Sequence, residues 1–262
     1  MTQRHTAGMS EVMPIADSLV HVDVKSLADN LGRTGVGMVP GVVRPDELLA
    51  LQTFARDAVA SNGDEYAYLT QDALAGTPIG DLARSQELTG LLSSLYEESV
   101  GTPPSPQEAV HPALRCLSGL TGTGQSLRFH FDSYAITALL PIAIPATGNR
   151  GDFLYYPNRR PVRRRALMNL TDKVIYQNPA TIRLIASQRF RTARPPRRLQ
   201  LTPGNLYLFC GYRTLHGNDR CDPDQIRATA LFHFGDPHLG SPLVRLMQRR
   251  VQRRAASESA ST

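Results

Sequence analysis

Short β-rich runs alternate with turn residues between about residue 114 and residue 238. The runs read RFHFDSYAITALLPIAI, GDFLYYP, NLYLFCGYRTLHG and IRATALFHFG, and glycine, proline or asparagine stands near their ends. Many short strands divided by turns are typical of a β-sandwich or a β-barrel. This part of the chain is therefore predicted to fold around antiparallel sheets.

Two amphipathic helices are predicted ahead of the β-rich part. Residues 46–60 place Leu51, Ala55 and Val59 at helical spacing, with acidic residues at the start and a glycine beyond the end. Residues 85–100 repeat leucine at the same spacing and are followed by Gly101. A shorter helix is predicted around 26–31, ended by Gly32, with a strand-like stretch over 35–43. Helices before a β core predict an α+β fold.

The length of 262 residues suits one large domain. We predict a flexible tail over 1–18, a single domain over 19–254 and a disordered Ser/Ala-rich tail over 255–262. A helical pattern at 171–187 and a short basic helix at 243–254 are also predicted.

Cysteine usage and hydropathy indicate a cytoplasmic protein. The three cysteines form no regular framework, which favours a reducing compartment over a disulfide scaffold. The first residues lack the apolar core of a signal peptide, and the longest largely apolar run, 135–146, is too short to span a bilayer. We expect no membrane span, and a monomer or homodimer.

Positive charge is concentrated in the second part of the chain. Residues 1–158 carry a net charge of −8 and residues 159–262 carry +14. Residues 159–198 hold twelve basic residues and one acid, inside a segment, 158–201, that is interpreted as a basic insertion. Such a patch attracts anions, so an anionic substrate or an acidic carrier protein is one hypothesis. The other is a solvated loop that keeps the protein soluble.

One histidine–aspartate motif and one distant histidine have the residue types of a metal site. His130 and Asp132 stand at the head of a predicted strand, whose period of two places both side chains on one face. His216 follows a later strand. Two imidazoles and one carboxylate form the facial set that holds Fe(II) with positions left open. A second motif of the same form, His21-Val22-Asp23, has no such context.

An arginine and a threonine complete the pattern. Arg227 opens a predicted strand eleven positions after His216, and Thr229 faces the same way along that strand. A guanidinium has the fork geometry that binds a carboxylate through two hydrogen bonds. Arg227 and Thr229 are therefore candidates for binding the far carboxylate of a 2-oxo acid.

Residues 114–238 resemble the jelly-roll core of the Fe(II)/2-oxoglutarate-dependent oxygenases. His130, Asp132, His216 and Arg227 match, in order, the H-x-D motif, the distal histidine and the arginine of that family. The resemblance implies a double-stranded β-helix (cupin-like) core over 114–238 with flanking N-terminal helices and the basic insertion. It implies Fe(II) on His130, Asp132 and His216, with 2-oxoglutarate on Arg227 and O2 as a further substrate.

The resemblance also implies a reaction. The expected activity is hydroxylation of an unactivated C–H bond in a small or carrier-tethered, anionic metabolite or biosynthetic intermediate, with release of succinate and CO2. Related halogenases replace the carboxylate ligand by a small residue, so Asp132 favours hydroxylation. A protein hydroxylase and a non-catalytic jelly-roll binding protein stay open as alternatives, and a nucleic-acid partner is not expected.

Four further residues are candidates for the walls of the pocket. Arg128 shares the parity of His130 and Asp132, and a substrate carboxylate or a surface acid are its alternative partners. Tyr134 and Tyr156 either line the pocket or belong to the core. His233 shares a strand face with Arg227 and is interpreted as a structural, hydrogen-bonded histidine.

Overall fold

The computed structural model describes residues 19–161 and 179–236. Seven helices lie in these ranges: α1 Val24–Thr34, α2 Pro45–Ala60, α3 Pro78–Arg84, α4 Gln86–Val100, α5 Gly119–Thr123, α6 Pro179–Ala186 and α7 Gln188–Ala193. The strands are β1 Gly37–Val39, β2 Ala67–Leu69, β3 His111–Leu117, β4 Ile136–Ala143, β5 Phe153–Tyr156, β6 Arg197–Leu199, β7 Leu206–Phe209, β8 Leu215–Asn218 and β9 Arg227–Phe234.

The strands form two antiparallel sheets. The larger sheet has the order β1-β7-β4-β9-β3-β2, and the smaller has the order β6-β5-β8. Helices precede and flank the sheets, so the predicted α+β class is confirmed. The long connections between neighbouring strands bring residues far apart in sequence to one place, as a site built from residues 130 and 216 requires.

The larger sheet has one face toward the helices and one toward a cavity. On β9 the alternate residues Ala228, Ala230, Phe232 and Phe234 are buried against leucines of α1, α2 and α4. The residues between them point to the opposite side, because successive side chains of a strand alternate. We call that side the cavity face; it includes Arg115, Thr137, Leu139, Thr229, Leu231 and His233.

Two of the predicted helices have informative boundaries. The helix predicted over 85–100 is α4, where the Ser85 side chain accepts a hydrogen bond from the Leu88 amide and Gly101 has φ 75°. Gly32 does not end the first helix as expected. The helix continues to Thr34 and ends at Gly35 (φ 90°), because burial of its Leu27 and Leu31 outweighs the low helix propensity of one glycine.

The described end of the basic segment 158–201 belongs to the smaller sheet. It contributes β6, which pairs with β5, and Arg198 on this strand forms ion pairs with Asp152 and Asp219. The helix predicted at 171–187 corresponds in its second part to α6, and its first part lies outside the described residues. The predicted tails and the helix at 243–254 also lie outside them. In the described part of the chain, no helix has the length and apolar character needed to cross a membrane.

Replacing Phe232 by alanine is expected to lower the free energy of unfolding by about 3–5 kcal/mol, because the ring has no solvent exposure and its removal leaves a cavity. Leu120→Ala is the control, since Leu120 is 76% exposed and should change stability by less than about 0.5 kcal/mol. Urea denaturation measures both. A loss below about 1 kcal/mol for Phe232→Ala would contradict the packing described above.

Candidate metal centre and its cavity

Three side chains from separate parts of the chain meet at one end of the cavity. Asp132 Oδ1 lies 3.5 Å from His130 Nε2 and 3.5 Å from His216 Nε2. All three ligand atoms lie within 4.8 Å of one another. His216 and Asp132 are buried, while the His130 side chain is 47% exposed. The site is therefore open to ligands on the His130 side.

Backbone hydrogen bonds fix the positions of these residues. His130 and His216 form an antiparallel bridge with N–O distances of 2.9 and 3.0 Å, and the Asp132 amide donates to the Gly211 carbonyl. The expectation that His130 and Asp132 head a strand is wrong, since β4 begins only at Ile136. The chain here crosses from the smaller sheet to the larger one, so it cannot continue as a strand of either.

The histidine tautomers follow from the neighbouring carbonyls. His130 Nδ1 lies 3.0 Å from the Arg128 carbonyl oxygen, and His216 Nδ1 lies 3.0 Å from that of Thr214. A carbonyl only accepts, so both Nδ1 atoms carry the proton and both Nε2 atoms direct a lone pair toward Asp132. Burial lowers the pKa of His216 to about 4, which keeps its imidazole neutral at pH 7.

The second oxygen of Asp132 is held by a hydroxyl. Thr137 Oγ1 donates to Asp132 Oδ2 at 2.6 Å and accepts from His233 Nδ1 at 3.1 Å. Burial opposes ionisation of Asp132, but at low pH the positive charges of the protonated His216 and His130 outweigh it and hold the pKa of the carboxyl well below its usual range. Gly211 makes room for this arrangement, because a Cβ there would overlap both Asp132 and Thr137.

Replacing Thr137 by valine is expected to weaken Fe(II) binding about tenfold, because the isosteric side chain cannot donate to Asp132 Oδ2 and the carboxylate loses its orientation. Anaerobic calorimetry with Fe(II) measures the affinity. Thr53→Val is the matched control, since that exposed hydroxyl donates to the Leu49 carbonyl and accepts from Arg56, both on α2 and away from the metal site. An unchanged affinity in folded Thr137→Val protein would remove the positioning role.

The predicted arginine lies in the same cavity, deeper in the fold. Arg227 is 2% exposed, and its Nε donates to the Gly151 carbonyl at 2.7 Å. Burial, with Arg115 nearby, lowers the pKa of Arg227 to about 9, so the guanidinium is still charged at pH 7. Gly151 has φ 69°, and a Cβ at this position would overlap the Arg227 side chain. Thr229 is buried beside Arg227 on the cavity face, as predicted.

The donor set fits iron. Two imidazoles and one ionised carboxylate bring their ligand atoms to one point, which is the donor set that binds Fe(II) and leaves positions for other ligands. The cavity they border has a volume of about 560 Å³. Part of its wall is apolar and includes Phe153, Phe209 and Leu231.

No family model and no curated protein matches the sequence. Solved structures do match. They include the non-heme α-ketoglutarate-dependent epimerase SnoN from nogalamycin biosynthesis (TM-score 0.51, 16% identity, 81% of this chain and 82% of that chain). A prolyl-4-hydroxylase of Pseudomonas putida gives a TM-score of 0.52 at 10% identity, over 81% of this chain and 98% of that one. The α-ketoglutarate-dependent carbocyclase SnoK gives 0.50 at 14% identity, over 84% and 86%.

The chain has the fold of the 2-oxoglutarate/Fe(II) oxygenases. The predicted double-stranded β-helix core is thereby confirmed. The three neighbours carry different reaction names, epimerase, carbocyclase and hydroxylase, so the oxygenase fold alone does not determine the outcome of a reaction.

The three candidate substrate residues differ in their position relative to the cavity. Of the two alternatives for Arg128, the structure has the one in which it lines the cavity, where it donates to Gln125 rather than to a surface acid. Tyr156 does not: on β5 the alternation turns Phe153 toward the cavity and Tyr156 away from it, into a cluster with Phe129 and Phe190. Tyr134 stacks on His233, 5.3 Å between ring centroids, and lies behind the residues that line the cavity.

Sequence reasoning missed Arg115, Thr137 and Gly151. Arg115 lines the cavity from β3, where it pairs in register with Thr229. One signal was available for it: a lone charged residue between the apolar Leu114 and Cys116 in a strand-like run. The roles of Thr137 and Gly151 depend on contacts across strands, which spacing alone does not show.

Proposed function

We propose that this protein is an Fe(II)- and 2-oxoglutarate-dependent oxygenase. His130, Asp132 and His216 would hold the iron, and Arg227 with Thr229 would bind the far carboxylate of 2-oxoglutarate. The observation that carries the proposal is that the three ligand atoms and the buried guanidinium border one cavity. The fold and the donor set point to the same chemistry independently.

Bound iron, with O2 and 2-oxoglutarate, supplies the oxidising power for C–H oxidation while the 2-oxo acid is converted to succinate and CO2. The contribution of the chain is positioning and exclusion of water. The Thr137 hydroxyl and the Thr214 carbonyl orient two of the ligands. Arg227, fixed by the Gly151 carbonyl, gives a dicarboxylate a single direction in the cavity.

The proposed substrate is a small or carrier-tethered metabolite, and the proposed reaction is hydroxylation. A cavity of about 560 Å³ is of the size that accommodates small ligands. Asp132 occupies the carboxylate position, which favours hydroxylation over halogenation. The fold likeness extends to a prolyl-4-hydroxylase, so a peptide substrate is the second candidate, and it would have to insert one side chain into this cavity.

We propose one domain over 19–254 and a cytoplasmic location. All three cysteines are buried and free, which supports a reducing compartment.

The metal dependence of 2-oxoglutarate binding tests the proposed function. Anaerobic calorimetry should show 2-oxoglutarate binding at least about tenfold tighter with Fe(II) present than without it. Glutarate is the control, because it keeps both carboxylates and lacks the 2-oxo group needed for chelation, so the metal should tighten its binding much less than that of 2-oxoglutarate. Equal affinity for 2-oxoglutarate with and without Fe(II) would contradict the proposal.

A further inference from the structure

The cavity holds more positive than negative charge. Three guanidinium groups line it, those of Arg115, Arg128 and Arg227, and within the described residues Asp132 is the one carboxylate that does so. A divalent metal and the 2-oxoglutarate dianion cancel each other in charge. Two positive charges therefore remain after both have bound, and uncompensated charge in a partly closed cavity is unfavourable.

Neutral groups are the hydrogen-bond partners of all three arginines in the described residues. Arg115 donates to Asn218 Oδ1 at 2.7 Å and to the Gln125 carbonyl at 3.1 Å. Arg128 donates to Gln125 Oε1 at 2.8 Å, and Arg227 donates to the Gly151 carbonyl. The positions of the guanidiniums are thus fixed while their charges stay available to a ligand.

Gln125 connects the two outer arginines. Its backbone carbonyl accepts from Arg115 and its side-chain oxygen accepts from Arg128, so one residue sets the spacing of the two groups. The backbone N–H of Gln125 donates a hydrogen bond to the Gly122 carbonyl, which fixes the position of this residue. Each guanidinium has five N–H donors, and within residues 19–161 and 179–236 one or two of them are used.

The two outer arginines also differ in depth. Arg115 is half-buried on the cavity face, opposite Thr229, and Arg128 is exposed at the mouth beside His130. Both border the same cavity, one inside it and one at its exposed edge. Since Arg227 is assigned to the cosubstrate, these two remain for the substrate.

We propose that Arg115 and Arg128, spaced by Gln125, form a recognition site for an oxyanion of the substrate, a carboxylate or a phosphate. The inference rests on the proposed function, which assigns Arg227 to 2-oxoglutarate. It places the anionic group of the substrate at the cavity wall rather than on the basic segment 158–201. A dianion would neutralise both remaining charges.

Calorimetry with simple probes tests the site. The full chain, loaded anaerobically with Fe(II) and saturating 2-oxoglutarate, is titrated with phenyl phosphate, benzoate and the neutral benzamide. Both anions should bind at least about tenfold tighter than benzamide, and the stronger of the two identifies the oxyanion. Arg128→Met should lower anion affinity about tenfold without lowering Tm, since Arg128 is exposed.

Arg115→Met should have the same effect on the probes, and Arg56→Met, on the exposed face of α2, is the matched control. Anion binding that is no tighter than benzamide binding, or that is unchanged in folded Arg128→Met protein, would overturn the site. Failure of the proposed function looks different: 2-oxoglutarate then shows no metal dependence before any probe is added.

Discussion

Replacing Asp132 by alanine is expected to lower Fe(II) affinity by more than about 100-fold and to abolish 2-oxoglutarate turnover. Asp132 provides one of three ligand atoms, and its loss exceeds the 10- to 100-fold effect that is typical of residues behind the ligands. The two imidazoles would face each other without the carboxylate between them. Anaerobic calorimetry with Fe(II) and measurement of succinate formation check the result.

The chain contains its own control for this variant. Asp23 belongs to the other His-x-Asp motif, but its side chain accepts from the Ser26 amide and caps α1. Asp23→Ala should lower stability by about 0.5–2 kcal/mol and leave Fe(II) binding intact. Full turnover by Asp132→Ala would eliminate the proposed centre.

Replacing Arg227 by methionine is expected to raise the Kd for 2-oxoglutarate at least about 30-fold, because a desolvated charge pair contributes about 2 kcal/mol or more. Fe(II) affinity should not change, since Arg227 is not among the three grouped ligands. Calorimetry in the presence of Fe(II) measures the loss. Wild-type affinity for 2-oxoglutarate in the variant would show that another group binds the far carboxylate.

Gly151→Ala gives a second test of the role of Arg227 in 2-oxoglutarate binding, because it disturbs the arginine side chain without removing its charge. The added methyl group would overlap the Arg227 side chain, and φ 69° is unfavourable for alanine. We expect weaker 2-oxoglutarate binding together with some loss of stability. Gly41→Ala is the matched control, with φ 60° and open space around its Cβ position.

The identity of the grouped residues could be predicted from the sequence, whereas the backbone geometry that groups them was predicted less well. His130, Asp132 and His216 are grouped as expected, yet the argument from strand parity was wrong, because residues 130–132 cross between sheets. The alternation of side chains along a strand gave the correct prediction on β9, where Arg227 and Thr229 both face the cavity. It failed for Tyr156 because no one-strand pattern reveals which face of β5 meets the cavity.

Residues that act through cross-strand contacts could not be predicted from spacing. Thr137 meets His233 because β4 and β9 pair in the observed register, and it meets Asp132 because the chain bends between residue 132 and the start of β4. Arg115 faces the cavity because β3 pairs with β9. Local patterns predict strands and turns, whereas the partner and register of each strand depend on the packing of the whole chain.

Anaerobic absorption spectroscopy tests the central claim most directly. Fe(II) and 2-oxoglutarate are added to the purified chain separately and then together, and the visible metal-to-ligand charge-transfer band is recorded. A weak band is expected only when both components are present. It should be absent in Asp132→Ala and should require more 2-oxoglutarate in Arg227→Met. A folded wild-type protein that gives no band at saturating Fe(II) and 2-oxoglutarate would contradict the proposed function.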